Sequence, residues 1–248
     1  MKEDTRWKLI AGVLLVTLSL ALFTVHYLVF SDSHHLFIFF VGDLAFIPIE
    51  VLVVTLIIDQ MLESREKQRR MEKLNLVIGT FFSTAGIPLL GLVSRADTCL
   101  AGIKPNLVIG AEWKNNQFSE VKECLRSHSA TIATDQIDMA ALRNFLISHE
   151  DFLLRIMENP MVFEHESFTD LLLALDHLTK ELKARHDLSA LSSADQSHLS
   201  TDIQRVYTRL IPEWLMYMEY LKEHYPYLFS LAMRTNPFDD SACVEIRE

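Results

Sequence analysis

Two carboxylates lie inside an otherwise apolar run of the sequence and are its most informative polar feature. Asp43 and Glu50 are seven residues apart, which is nearly two helical turns, so both side chains would share one helix face. A charged side chain exposed to lipid at mid-membrane costs roughly 2.5–3.5 kcal/mol, so this face is expected to meet protein or water. Homo-oligomerisation would provide such surroundings.

These acids have few polar neighbours. In an antiparallel pair of helices, His26 and Thr24 would lie near the level of Asp43, and Thr17 near that of Glu50. Neither apolar run contains Lys or Arg, so the carboxylates are expected to be protonated, hydrogen-bonded, or compensated by cations or water. Two interpretations stay open: a ring of acids along a cation or proton pathway, or polar contacts that hold helices together.

A second group of residues has the types that ligate metals. Its members are Glu164, His165, Glu166, Asp170, Asp176, His177 and Glu181. His177 and Glu181 are i,i+4 neighbours on one face of a predicted helix. Carboxylate-bridged metal sites in bundles take matching ligands from several helices, typically with Glu-x-x-His repeats, and this sequence has no such pair of repeats. We therefore predict no metal and no cofactor, and keep His165, His177 and Glu181 as the candidates should a metal bind.

Composition and motifs narrow the function classes. The motifs GxSxG, GxGxxG and HExxH and Walker-type loops are absent, so we expect no enzymatic activity. The formal net charge of -10 argues against nucleic-acid binding, which needs clustered Lys and Arg. Cys99, Cys124 and Cys243 have no CxxC spacing, which favours reduced cytoplasmic thiols over a disulfide framework or a zinc knuckle.

The segments that carry these acids are apolar enough to cross a bilayer. Residues 9–30 and 36–58 are each long enough, at 1.5 Å per residue, to span a hydrocarbon core of about 30 Å. The short stretch between them, residues 31–35, permits only an antiparallel hairpin, which we assign to residues 1–60. A cleaved signal peptide is the competing interpretation, but the first run is too long for one.

Basic residues give the hairpin an orientation. They flank its two outer ends, and the intervening turn contains neither Lys nor Arg. The flanking residues are Lys2, Arg6 and Lys8 at one end, and Arg65, Lys67, Arg69, Arg70 and Lys73 at the other. Because loops rich in Lys and Arg stay in the cytoplasm, we expect a multi-pass protein of the inner (plasma) membrane with both termini cytoplasmic.

Residues 59–93 are expected to connect the hairpin to the rest of the chain. Residues 59–73 lack Gly and Pro, which predicts that the second span continues into the cytoplasm as a helical stalk. Residues 74–93 are uncharged and could form a third membrane crossing. Such a crossing would place residues 94–248 on the side of the membrane opposite the cytoplasm. Their apolar residues share one helical face, and Pro88 and Gly91 weaken a long span, which favours an amphipathic juxtamembrane helix.

Residues 94–248 are predicted to form a helical bundle. Residues 107–109 are apolar enough for a strand, but one isolated strand cannot form a sheet, so the predicted fold class is all-α. Pro212 is expected to kink or restart the last long helix. The segments that begin with capping residues are 135–158, 167–185 and the run from 193 onward.

Residues 225–238 are too aromatic to form a solvated tail. Tyr and Phe side chains at this density are expected to pack on the bundle or on a neighbouring subunit. The alternative interpretation is that residues 225–238 form a patch that binds a cytoplasmic protein partner.

Four stretches resemble an uncharacterised family of prokaryotic integral membrane proteins. They are residues 42–51, 74–86, 165–172 and 225–238. The resemblance spans most of the chain from about Leu36 onward. It implies two transmembrane helices followed by a helical cytoplasmic domain that includes residues 74–93, and it implies no activity.

We therefore expect a transmembrane helical hairpin with a cytoplasmic helical-bundle domain. The expected function is that of a membrane-anchored, homo-oligomeric module for sensing, scaffolding or regulation. The alternative is an oligomeric cation or proton pathway that uses Asp43 and Glu50.

Overall fold

The protein is all-α over the residues that the computed structural model describes, which are 3–245 without the side chains of residues 3–5 and 36. Lys2, used above for the topology, lies outside the described residues. In this range the α-helices are α1 (Glu3–Phe30), α2 (Ser33–Phe81), α3 (Ile87–Val93), α4 (Asn115–Ser127), α5 (Met139–Ser148), α6 (Glu150–Met157), α7 (Glu166–Ala184), α8 (Ser193–His224) and α9 (Pro226–Arg234). Short 3₁₀ turns cover Ser94–Ala96, Leu100–Gly102, Lys104–Leu107, Thr134–Gln136 and Pro160–Glu164. Asp97 and Ile132 form an isolated antiparallel bridge.

The chain divides into two compact units. The first runs to Lys67 and the second begins at Gln68, so the division falls within α2. By length and composition alone, two helical stretches could cross a membrane, Arg6–Phe30 and Ser33–Ala96. Their most apolar windows contain no buried residue, so the apolar side chains there face outward.

The connection between α1 and α2 has local causes in the sequence. Ser31 has a positive φ of 50° and donates its N–H to the Tyr27 carbonyl at 2.9 Å, which ends α1. Asp32 then caps α2, because its Oδ1 atom accepts from the backbone N–H groups of His34 and His35 at 3.0 and 3.1 Å. The two helices are therefore joined by only two residues.

Residues 74–93 contribute to the core of the second unit. A π-helical turn, Phe82–Gly86, separates α2 from α3. The Phe81 ring packs edge-on against Phe168, and the Phe82 ring stacks on Tyr217 with 5.1 Å between centroids. The unit thus begins earlier than the predicted boundary at residue 94. The buried residues of this segment are Leu74, Ile78, Phe81, Phe82, Ala85, Gly86, Leu89, Leu90 and Val93.

Helix α8 is central to this unit, since it packs against α3, α4, α7 and α9. Its many buried residues include Leu210, Trp214 and Leu215. The helix continues through Pro212, so the predicted restart there is wrong. Proline removes one helical hydrogen bond, but the contacts on both sides of this position hold the two halves of α8 in one helix.

Two other local predictions differ from the structure. The segment predicted from residue 135 to 158 consists of two helices, α5 and α6, which meet at His149. Helix α7 is capped by His165, whose Nδ1 atom accepts from the N–H of Phe168 at 3.3 Å, and not by Ser167. The apolar run 107–109 begins at the last residue of the 3₁₀ turn Lys104–Leu107 and forms no strand, which agrees with the predicted all-α fold class.

The aromatic segment 225–238 packs on the second unit through α9. Phe229 and Phe238 are buried, and the ring of Phe238 contacts Trp214 edge-on at 5.0 Å. Packing on the bundle therefore accounts for these side chains. The binding of a protein partner stays a prediction for the exposed residues of α9, Tyr227, Leu228 and Leu231.

Candidate metal centre

Two packed helices bring four metal-ligating side chains together in the second unit. Helix α7 contributes His177 and Glu181, and α8 contributes His198 and Asp202. Each pair has i,i+4 spacing, so its two side chains lie on one helix face. The helices are joined by residues 185–192 and pack side by side, which makes the two faces meet.

The donor atoms converge on one carboxylate oxygen. The Nε2 atoms of His177 and His198 each lie 3.3 Å from Oδ2 of Asp202. One donor atom from each of these three residues lies within 4.8 Å of the other two. Glu181 borders the group, with Oε2 3.5 Å from Nε2 of His198 and Oε1 4.0 Å from Nε2 of His177.

Asp202 is the buried member of the cluster. Its side chain is 2% exposed, whereas those of His177 and His198 are 47% and 50% exposed. The Arg205 guanidinium donates to Oδ1 of Asp202. Oδ2 is enclosed, and none of the described residues forms a hydrogen bond with it, although an imidazole nitrogen of His177 and one of His198 each lie 3.3 Å away. A buried acceptor left in this state typically costs about 1–3 kcal/mol.

Arg185 fixes the position of Glu181. Its Nη1 atom donates to Oε2 of Glu181 at 2.6 Å, while Nη2 donates to Oδ1 of Asp195 at 2.7 Å. The hydrogen bond from Arg185 lowers the pKa of the Glu181 carboxyl, and the pKa of Asp195 is lowered by the same guanidinium. Glu181 is thus a carboxylate at neutral pH and is held beside the two imidazoles.

This donor set has a defined chemistry. Imidazole nitrogen and carboxylate oxygen are ligands for first-row divalent metals. Two histidines and one carboxylate leave a coordination position open, as in catalytic zinc sites and in non-haem iron sites. The competing interpretation is a pair of protonated imidazoles that share the Asp202 carboxylate as ion pairs.

The sequence predicts only half of this cluster. His177 and Glu181 are recognisable as i,i+4 neighbours, whereas His198 and Asp202 do not belong to the Glu-x-x-His pattern that is typical of metal sites in bundles. The available signal was a histidine followed four residues later by an acid, once on α7 and once on α8. His165, the third candidate, is not a member of the cluster, since it caps α7.

Of the four polar residues predicted to act within the membrane spans, two line the same cavity and two do not. His26 and Asp43 line one cavity of about 360 Å³ between α1 and α2. Glu50 is exposed and does not line this cavity. The Thr17 hydroxyl donates to carbonyls of the preceding turn at 2.9 and 3.0 Å, so it is satisfied within α1. The role predicted for these residues in ion passage stays a prediction.

Comparison with known proteins gives a family for both units. Residues 2–62 match a family described as "MJ1433, N-terminal helical domain", and residues 70–234 match "Uncharacterized protein MJ1433, C-terminal helical domain". The "Uncharacterized protein MJ1433" of Methanocaldococcus jannaschii is 44% identical over 242 residues, which cover 98% of this chain and 97% of that protein. No solved structure matches the chain.

Proposed function

We propose that this chain, which belongs to the family of the uncharacterized protein MJ1433, is a membrane-anchored helical module of the inner membrane, without enzymatic activity. Its second unit would be cytoplasmic and would serve sensing, scaffolding or regulation. The observation that carries this proposal is the contrast between the two units. The first exposes the apolar side chains of its long helices, and the second buries a core of its own.

The apolar side chains that α1 and the first part of α2 expose would be unfavourable in water. Burial of apolar area is favourable by roughly 25 cal/mol per Å², and soluble monomers rarely expose large continuous apolar patches. Lipid covers such helices without any further protein. The basic residues at the outer ends of both spans favour a cytoplasmic position for the second unit.

Homo-oligomerisation is part of the proposal because of the two acids in α2. Asp43 and Glu50 lie in the segment assigned to the membrane, and both side chains are exposed in the single chain. A lipid-facing carboxylate is costly at this depth. A second copy of the hairpin would supply polar contacts for them.

A cation or proton pathway is the second candidate function. It is favoured by the position of His26 and Asp43, which line the same cavity between α1 and α2. Ionisable side chains within membrane segments often mark ion routes or proton relays. In this alternative, the acids of several copies would surround a common pore.

Cysteine labelling in membrane vesicles tests the anchoring and its orientation. Cys99 is exposed in the second unit, and a variant with Cys124→Ser and Cys243→Ser keeps it as the single thiol. A membrane-impermeant maleimide should label Cys99 in inside-out vesicles and not in right-side-out vesicles. The matched variant, with Cys99→Ser added and Ser33→Cys at the first residue of α2, should give the opposite pattern. Release of the protein by alkaline carbonate, or equal labelling from both sides, would refute the proposal.

A further inference from the structure

We propose that His177, His198 and Asp202 form a binding site for one first-row divalent transition metal ion, with zinc as the best fit. Glu181 lies next to the remaining coordination position. Metal binding does not depend on a membrane anchor, whereas its use as a sensory input rests on the function proposed above.

Two of the three ligand–ligand distances match those around a tetrahedral metal ion. With metal–ligand bonds of about 2.0–2.1 Å, adjacent ligand atoms of a tetrahedral zinc ion are about 3.3–3.4 Å apart. The distance from Oδ2 of Asp202 to each imidazole Nε2 atom is 3.3 Å. Two edges of the coordination tetrahedron are therefore already present. The donor atoms of the two imidazoles lie at most 4.8 Å apart, and binding of the ion would bring these half-exposed rings to the length of the third edge.

The burial of Asp202 is the second, independent observation. Its Oδ2 atom is enclosed and has no hydrogen bond from any described residue, although it faces two imidazoles. Two protonated imidazoles would be expected to donate an N–H to this oxygen, which neither ring does. A metal ion would satisfy the oxygen and the two imidazole nitrogens together.

The neighbouring side chains fit a bound cation. Arg205 holds Oδ1 of Asp202 and thereby leaves Oδ2 directed at the histidines. Arg185 holds Glu181 within 3.5–4.0 Å of both rings. Hydrogen-bond partners of this kind orient the side chains that bind the metal, and their loss commonly weakens metal affinity about 10–100-fold. The half-exposed imidazoles provide a path by which the ion enters.

The selection of a transition metal follows from the ligand types. Ca²⁺ and Mg²⁺ prefer sites made entirely of oxygen ligands, whereas this cluster has two nitrogens. Three protein ligands and an open position would let the site bind water, Glu181 or a further ligand. Because His177 lies on α7 and the other two ligands on α8, the ion would also cross-link these helices.

Metal binding can be measured on the full-length protein in detergent. The purified protein is stripped with a chelator, equilibrated with zinc chloride, and analysed for bound zinc after gel filtration. The affinity is measured by competition with a chromophoric chelator, and Co²⁺ serves as a spectroscopic probe because its visible absorption reports the coordination geometry. One zinc per chain and a tetrahedral-type cobalt spectrum are expected.

Matched variants separate this site from adventitious binding. Asp202→Asn and His198→Gln should each weaken zinc binding more than about 100-fold, since the loss of a ligand's hydrogen-bond partner alone costs about 10–100-fold. His186→Gln changes an exposed histidine outside the cluster and should leave the affinity unchanged. If Asp202→Asn does not fold, His198→Gln decides the question, because its side chain is half exposed.

Two outcomes would overturn the inference. One is unmodified protein that binds no zinc or cobalt, which would favour ion pairs between imidazolium groups and Asp202. The other is binding that survives equally in both ligand variants. Neither outcome changes the result of the labelling experiment that tests membrane anchoring. A chain that alkaline carbonate releases from the membrane can still bind zinc. The anchoring proposal and the metal-binding proposal can therefore be refuted independently.

Discussion

Arg185 forms a bidentate ion pair with Asp195 across the connection between α7 and α8. Its Nε atom lies 3.2 Å from both carboxylate oxygens, and its Nη2 atom lies 2.7 Å from Oδ1. Nη1 of the same guanidinium donates to the carboxylate and to the backbone carbonyl of Glu181. One side chain therefore fastens the end of α7, the start of α8 and the edge of the histidine cluster.

Arg185→Gln is expected to lower the free energy of unfolding by about 1–2 kcal/mol, because charge-assisted hydrogen bonds to two carboxylates are lost while those groups are still partly buried. Thermal unfolding followed by tryptophan fluorescence measures the change. Lys183→Gln is the control, since Lys183 is half exposed and forms a single ion pair, with Glu150. Its effect should stay below about 0.5 kcal/mol, and an equal loss in both variants would contradict the prediction.

Gly86→Ala is expected to destabilise the second unit by about 1–3 kcal/mol. A Cβ atom at this position would lie 2.5 Å from Cδ1 of Phe82, whose ring is fully buried against Tyr217. Gly91→Ala in α3 is the matched control, because nothing lies within 4 Å of its added methyl. That substitution should be neutral or should stabilise by about 0.5–1 kcal/mol. Equal unfolding temperatures for the two variants would disprove this packing argument.

Glu213→Gln should stabilise the protein at pH 8 and have little effect at pH 4. Burial raises the pKa of the Glu213 carboxyl, although a hydrogen bond with Ser167 opposes the shift. The folded state therefore binds the proton more tightly than the unfolded chain does. This contribution to stability is fully present below the unfolded pKa, near 4.5, and is lost as the pH rises through the raised pKa.

Unfolding temperatures of both forms across this pH range would measure the effect. A gain that is the same at pH 4 and pH 8 would mean that the packing of the substituted amide, and not the proton on Glu213, is responsible. A loss at pH 8 would show that the ionised carboxylate is the form that the fold requires.

Asp43→Asn is expected to weaken the oligomer without changing ion flux, if the acids serve assembly as proposed. Oligomer size is measured by light scattering in detergent, and cation and proton flux by dye assays in proteoliposomes. Glu50→Gln should behave similarly, whereas Asp59→Asn, an acid beyond the predicted second span, should leave the oligomer intact. Flux through the unmodified protein that either of the first two substitutions abolishes would establish the pathway alternative instead.

The helical character of residues 74–93 could be predicted from periodicity, since their apolar residues share one helical face, and many of these residues lie in the core. Local hydrogen bonds were harder to anticipate. Ser167 and His165 both stand near the start of α7, and the competition between them for the cap is decided by the 3₁₀ turn that precedes the helix. The continuity of α8 through Pro212 could not be predicted from local sequence either, because contacts with residues distant in sequence keep this helix continuous.

The histidine cluster shows why a site can be only half visible in a sequence. His177 and Glu181 are recognisable as neighbours because one helix turn relates them. Their relation to His198 and Asp202 depends on the register in which α7 packs against α8, which is a tertiary property. The burial of Asp202 is likewise set by that packing and not by its immediate neighbours.

The π-helical turn at Phe82–Gly86 rotates the residues that follow it about the helix axis, relative to an uninterrupted α-helix. Such a turn accommodates one additional residue, and each residue of a helix corresponds to a rotation of about 100°. Ser83 and Thr84 are exposed within it, while Phe82, Ala85 and Gly86 are buried. Deletion of Ser83 would restore an uninterrupted α-helix, yet it would turn Leu89 and Leu90 away from the core by roughly a quarter of a revolution. The locally less regular backbone is therefore what keeps both halves of this segment facing inward.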